Sequence, residues 1–182
     1  MNVIKTKIEG VLIIEPEVFG DERGFFVETY NNKRYKEAGI KENFVQDNIS
    51  KSAKGVLRGL HFQEGESAQG KLVQVIQGKV LDVAVDIRKN SPTFGEWVSI
   101  ELSGENKKQF WVAPGLAHGF LSLEDDTIFN YKCTQLYNPK SEKGVMWNDP
   151  DLDIDWKFEE NEIAVPIIAE KDQKNMTFKN LK

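Results

Sequence analysis

The sequence predicts an all-β protein, a jelly roll with short peripheral helices. Three observations carry that expectation. Short apolar runs with strand-like alternation recur along most of the chain, and turn signals separate them roughly every eight to twelve residues. The long helical patterns that a βαβ protein would place between its strands are absent.

In chain order, Val3 to Pro16 alternates and then condenses into Val11–Ile14, which reads as one or two strands. Asp21–Gly24 is a turn, followed by a strand over Phe25–Tyr30. Asn31 is placed to cap a short helix, Asn32–Ala38, which Gly39 stops. Phe44–Ser50 is extended again, and Gly55–Gln63 reads as a strand despite carrying Arg58 and His61. A polar loop, Glu64–Gly70, leads into Lys71–Ile76 and Lys79–Ile87, which flank Gln77-Gly78 and predict a hairpin. Within the second run, Leu81, Val83, Val85 and Ile87 face one way, Asp82 and Asp86 the other. Trp97–Leu102 and Gln109–Val112 follow, then a second predicted hairpin, Phe120–Leu123 and Thr127–Gln135, across Glu124–Asp126. Beyond Tyr137 the pattern weakens into an acidic, turn-rich run. With 182 residues and no linker, the chain is expected to form one domain over 1–182.

Composition narrows the function classes. The net charge is −5, so a nucleic-acid groove binder, which needs a basic footprint, is not expected. An anionic ligand would have to be held by local cations, and the arginines are only Arg23, Arg34, Arg58 and Arg88 against 20 lysines. Cys133, the single cysteine, excludes an intrachain disulfide and fits a reducing compartment. Val11–Ile14 is too short for a signal-peptide core or a membrane span, so a cytoplasmic protein is expected, with no membrane partner.

The candidate site lies in the strands around the two histidines, His61 and His118, each with a glycine nearby. Two histidines without a His-x-His pair make a poor ligand set, so no metal is expected. No Walker loop, dinucleotide fingerprint or nucleophile elbow occurs, so no cofactor is expected either. Acid–base chemistry remains. Histidine is a common general base, so His61 could take a proton, Lys71 could stabilise an oxyanion, and Tyr131 could return a proton. Each also has a plainer reading, since strand tyrosines commonly serve packing and strand-edge lysines guard against aggregation. At a period of two, Arg58 and His61 point to opposite faces. Both reach one cavity only if a bulge falls at Gly59, and the sequence predicts that bulge.

Phe19–Phe26, Phe44–Asn48, Gly55–Gln63, Gln69–Val73, Asp82–Arg88, Ser91–Gly95, Ala117–Phe120 and Glu170–Asp172, in this order over about Ile4 to Asp172, resemble the dTDP-4-dehydrorhamnose 3,5-epimerase family. The resemblance implies a metal-free, cofactor-independent cupin jelly roll and a homodimer with exchanged N-terminal strands. It also implies a substrate, dTDP-4-dehydro-6-deoxy-D-glucose, on the route to dTDP-L-rhamnose. By the same resemblance His61 is the base, Asp172 orients it, Lys71 sits near the C4 oxygen and Tyr131 is the acid. His118 becomes a substrate contact and Arg58 a diphosphate ligand, with Gln46 and Asn48 as further nucleotide contacts. Phe19, Arg23, Phe26 and Glu28 match residues that reach the nucleotide of the neighbouring subunit. Ala169 stands where the family often carries serine. Single-site epimerases and a ketoisomerase group share the scaffold, and a binding module without turnover is the alternative from another class.

Overall fold

The computed structural model describes residues 1–181. Its strands are β1 (Asn2–Lys5), β2 (Val11–Glu15), β3 (Val18–Asp21), β4 (Gly24–Val27), β5 (Gln46–Ser52), β6 (Val56–Gln63) and β7 (Lys71–Gln77). Then come β8 (Lys79–Asp86), β9 (Trp97–Ser103), β10 (Gln109–Val112), β11 (Leu116–Ser122), β12 (Thr127–Cys133), β13 (Glu142–Gly144) and β14 (Ile167–Ile168). One sheet has the order β1-β2-β10-β7-β12-β5, and the other β13-β6-β11-β8-β9, with β14 added parallel to β6. The architecture is the expected all-β cupin-type jelly roll.

The two predicted hairpins do not form. β7 and β8 go to different sheets, as do β11 and β12. Gln77-Gly78 and Glu124–Asp126 are therefore corners where the chain crosses from one sheet to the other. At the first corner Gly78 has φ +77°, and a Cβ there would lie 2.4 Å from the Thr127 hydroxyl of the second. The two corners thus pack on each other. The predicted strand over Phe25–Tyr30 also ends early, at Val27, in the separate hairpin β3–β4.

Three apolar clusters hold the layers. Val73, Val75, Val80, Ala84, Leu102, Phe110, Phe120 and Phe129 fill the space between the sheets. Leu57, Leu60, Leu81, Val83, Val85 and Leu121 form the outer face of the second sheet, which Leu152, Trp156, Ile163 and Phe178 of the irregular C-terminal segment cover. Ile14, Leu72 and Trp111 on the outer face of the first sheet pack against Tyr35 and Ile40. Tyr35 belongs to α1 (Asn32–Glu37), which at six residues is too short to persist alone. The Asn31 side chain caps it by accepting from the N–H groups of Lys33 and Arg34, and burial of Tyr35 ties it down.

The predicted bulge is present in β6. His118 pairs with His61 and Phe120 with Arg58, so three steps on β6 answer two on β11. The extra residue turns Leu60 outward into the second-sheet cluster and brings Arg58 and His61 to the same inner face. Only glycine suits this position, because φ is +130° and a Cβ would lie 2.6 Å from the Gly119 Cα.

Two substitutions test this framework. Gly59→Ala is expected to cost about 3 kcal/mol in urea unfolding, since neither contacting backbone can yield; an unchanged midpoint would show that the close approach does not set the strand. Asp86 is buried and accepts from Arg88, Ser91 and Thr93, and although burial raises its carboxyl, these bonds bring it well below the carboxylate range. Its stabilisation is complete above the unfolded value of about 3.9 and is lost as pH falls from there. Asp86→Asn should therefore cost about 2 kcal/mol at pH 7 and distinctly less at pH 3; a gap that widens in acid contradicts the assignment.

Candidate active site

The two sheets enclose a cavity of about 460 Å³, within the range of small-ligand sites. Arg58 and His61 enter from β6 and His118 from β11 of one sheet, Lys71 from β7 and Tyr131 from β12 of the other. A side chamber shares His61, Lys71 and Tyr131 and adds Gln46, Asn48, Cys133 and Tyr137.

His61 meets Asp172 from a distant part of the chain. Pairing of β14 with Val56 and Leu57 lays the C-terminal segment along β6, and the following turn delivers Asp172. His61 Nε2 lies 2.6 Å from Asp172 Oδ1, while the Gly59 N–H donates to Oδ2 at 3.4 Å. Burial pushes the Asp172 carboxyl up, but the bonds from His61 and Gly59 hold it below its usual value. As the ionised acceptor, it fixes the tautomer with hydrogen on Nε2 and leaves the Nδ1 lone pair to take a proton.

His118 forms a second dyad, its Nε2 2.7 Å from Asp82 Oδ1, and Phe129 lies nearly parallel to its ring. Burial raises the Asp82 carboxyl against the pull of His118 and Lys71. Burial likewise lowers the Lys71 ammonium and raises the Tyr131 phenol, which therefore keeps its proton near neutral pH.

The charge balance of the cavity is specific. Arg23 pairs with Asp21, Arg34 with Glu28 and Arg88 with Asp86, but Arg58 has no carboxylate partner among the described residues. Its guanidinium instead donates to Ser52 Oγ and the Lys51 carbonyl, both at 3.3 Å. Lys71 also lacks a salt bridge among the described residues, so two uncompensated cations face the cavity of an acidic chain. That is a setting for an anion.

Some residues were not singled out beforehand. Glu142 lines both chambers, accepts from the Tyr137 hydroxyl at 3.0 Å and pairs with Lys171 at 3.2 Å. It arrives through β13, whose antiparallel pairing sets Glu142 opposite Gln63, and a polar loop gives no local sign of that pairing. Ala169 lines the cavity too, beside the intact dyad. Phe19, Arg23 and Phe26 do not line it; they form a separate shallow concavity on the β3–β4 hairpin, and Glu28 lies at that hairpin's base. Among the described residues, no three His, Cys or carboxylate side chains converge as a metal site would require. No helix among them is long and apolar enough to cross a membrane.

Comparison with known proteins adds independent information. The family model for dTDP-4-dehydrorhamnose 3,5-epimerase matches residues 5–180. The Salmonella typhimurium enzyme of that name is 57% identical over 173 residues, covering 94% of this chain and 92% of its own. The structure of a dTDP-6-deoxy-D-glucose-3,5-epimerase from Legionella pneumophila, in complex with dTDP-4-keto-L-rhamnose, superposes with a TM-score of 0.93. It is 50% identical and covers 100% of this chain and 94% of that one. A 3'-monoepimerase from Streptomyces bikiniensis, in complex with dTDP-quinovose, is more distant at 33% identity, with a TM-score of 0.88 over 96% of this chain and 86% of that one. Fold, cavity and full-length similarity agree: the chain belongs to the dTDP-4-dehydrorhamnose 3,5-epimerase family.

Proposed function

We propose that the protein is a dTDP-4-dehydrorhamnose 3,5-epimerase, inverting C3 and C5 of dTDP-4-dehydro-6-deoxy-D-glucose on the route to dTDP-L-rhamnose. The observation that carries this reading is the placement of a carboxylate-held histidine and a protonated tyrosine on opposite walls of one cavity. The C3 and C5 hydrogens flank the C4 ketone, so each can leave as a proton if the enolate oxygen is stabilised. His61 takes the proton, with Asp172 fixing its ring. Lys71 holds the charge that develops on the C4 oxygen. Tyr131 returns a proton from the facing sheet, and delivery to the opposite side of the ring is what inverts the centre. The cycle moves only protons, so acid, base and a cation suffice. The higher identity to the double epimerases than to the monoepimerase favours action at both carbons.

Arg58 binds the diphosphate, for which it carries the one guanidinium without a carboxylate among the described residues. Gln46 and Asn48 supply further contacts to the nucleotide and its phosphates, and His118 contacts the sugar. The working unit is a cytoplasmic homodimer in which each β3–β4 hairpin reaches the nucleotide of the other chain. In its favour, Phe19, Phe25 and Phe26 are 56–67% exposed on a hairpin that joins neither sheet. β1 and β2 complete the first sheet, so we assign the exchange to this hairpin, which joins neither sheet. The Arg23–Asp21 and Arg34–Glu28 pairs are exposed and screened by solvent, so a ligand can claim Arg23 and Glu28 readily.

Incubation with substrate in heavy water, followed by NMR, tests the chemistry. Deuterium should enter at both C3 and C5; label at one carbon alone would make the protein a single-site epimerase. His61→Asn should still bind dTDP but exchange 10²–10⁴-fold more slowly, and wild-type exchange would remove it as the base. Tyr131→Phe should impair inversion more than proton loss, and equal damage to both steps contradicts its role.

The shared site has its own test. Co-expressed His61→Asn and Phe26→Ala chains, each poorly active alone, should regain activity in mixed dimers, because one of the two sites then receives every group intact. No recovery in mixed dimers isolated by tag would confine each site to a single chain.

A further inference from the structure

Strand β5 forms one wall of the cavity, and its alternation turns Gln46, Asn48, Ser50 and Ser52 inward while Asp47, Ile49 and Lys51 face out. Three of the four inward groups have protein partners. Gln46 donates to Asn48 Oδ1 at 3.0 Å, Asn48 reaches Cys133 Sγ at 3.6 Å, and Ser52 Oγ accepts from Arg58. The Ser50 hydroxyl is the exception. Its oxygen is buried and has no hydrogen-bond partner, although Ser50 lines the main cavity. A buried hydroxyl without a partner is a costly arrangement, and alanine or valine would fill the same strand position without that cost.

The position of this hydroxyl defines what it could meet. Asn48, one inward step along β5, lies opposite Tyr131, and Ser50 itself lies opposite Phe129. In the other direction the next inward residue is Ser52, which Arg58 holds. Ser50 thus sits between the group that acts on the hexose and the group that binds the diphosphate. The part of a sugar nucleotide that spans this gap is the phosphate joined to C1 of the sugar. We propose that Ser50 donates a hydrogen bond to that sugar-proximal phosphate, a role that rests on the sugar-nucleotide reading of the cavity. A change of χ1 between staggered positions turns the hydroxyl from its shielded place towards the ligand. The bond fixes the glycosidic end of the substrate, so that the ring presents C3 and C5 to His61 without the ring sliding along the wall.

Calorimetric titration of wild type and Ser50→Ala with dTDP and with dTMP tests the assignment. The variant should melt no lower than wild type, because no bond within the protein is lost. It should bind dTDP about tenfold more weakly, about 1.4 kcal/mol, and bind dTMP, which lacks the sugar-proximal phosphate, as wild type does. Equal dTDP affinity in the two proteins would overturn the role of Ser50 alone. Equal losses for dTDP and dTMP would also overturn it, by moving the contact to the nucleoside side. A wild-type protein that does not bind dTDP would overturn the sugar-nucleotide reading and this role with it.

Discussion

One extra residue in β6 governs the site. Without the bulge at Gly59, Arg58 and His61 would face opposite sides of the sheet, and the two groups proposed as diphosphate ligand and base could not share a cavity. The same bulge frees the Gly59 N–H to bind Asp172 Oδ2, so the irregular backbone also satisfies the carboxylate that orients the base. Close approach to Gly119 locks the arrangement, because each glycine occupies the space where the other would carry a side chain. Strand geometry and the placement of Arg58, His61 and Asp172 therefore share a single local cause.

The charge balance explains how an acidic protein can hold a doubly anionic nucleotide. The overall field at a net charge of −5 repels such a ligand. The cavity reverses this locally by leaving Arg58 and Lys71 without carboxylate partners among the described residues, while the other arginines are paired. Glu142 lies nearby, but Tyr137 and Lys171 occupy it. Burial lowers the charge-holding tendency of Lys71, so a developing enolate, which restores a compensating charge, gains more from it than a neutral ketone does.

Much of this was legible in the sequence, for identifiable reasons. Local chemistry set the Asn31 cap, the two-faced alternation of Leu81–Val85 and the bulge, because each depends on neighbours in the chain. The corners at Gln77-Gly78 and Glu124–Asp126 were misread because turn residues show where a chain reverses, not which sheet receives it. That choice is made by packing between the sheets. Asp172 stands 111 residues from His61, and Glu142 reaches the cavity through a three-residue strand. No periodicity announces either; family resemblance supplied the first, and nothing in the sequence pointed to the second.

The division of labour between the sheets has a further consequence. His61 belongs to one wall and Tyr131 to the other, and the proposed mechanism requires no second base–acid pair for a second carbon. In the proposed mechanism, inversion at C3 and at C5 can use the same His61 and Tyr131 if the hexose turns about its bond to phosphate, since both carbons flank the one C4 oxygen assigned to Lys71. Groups that anchor the phosphate end while leaving the ring mobile, such as Arg58, would set that freedom. The 3'-monoepimerase that shares this fold at 33% identity fits the same scheme, since a single proton transfer calls for the same base and acid as two.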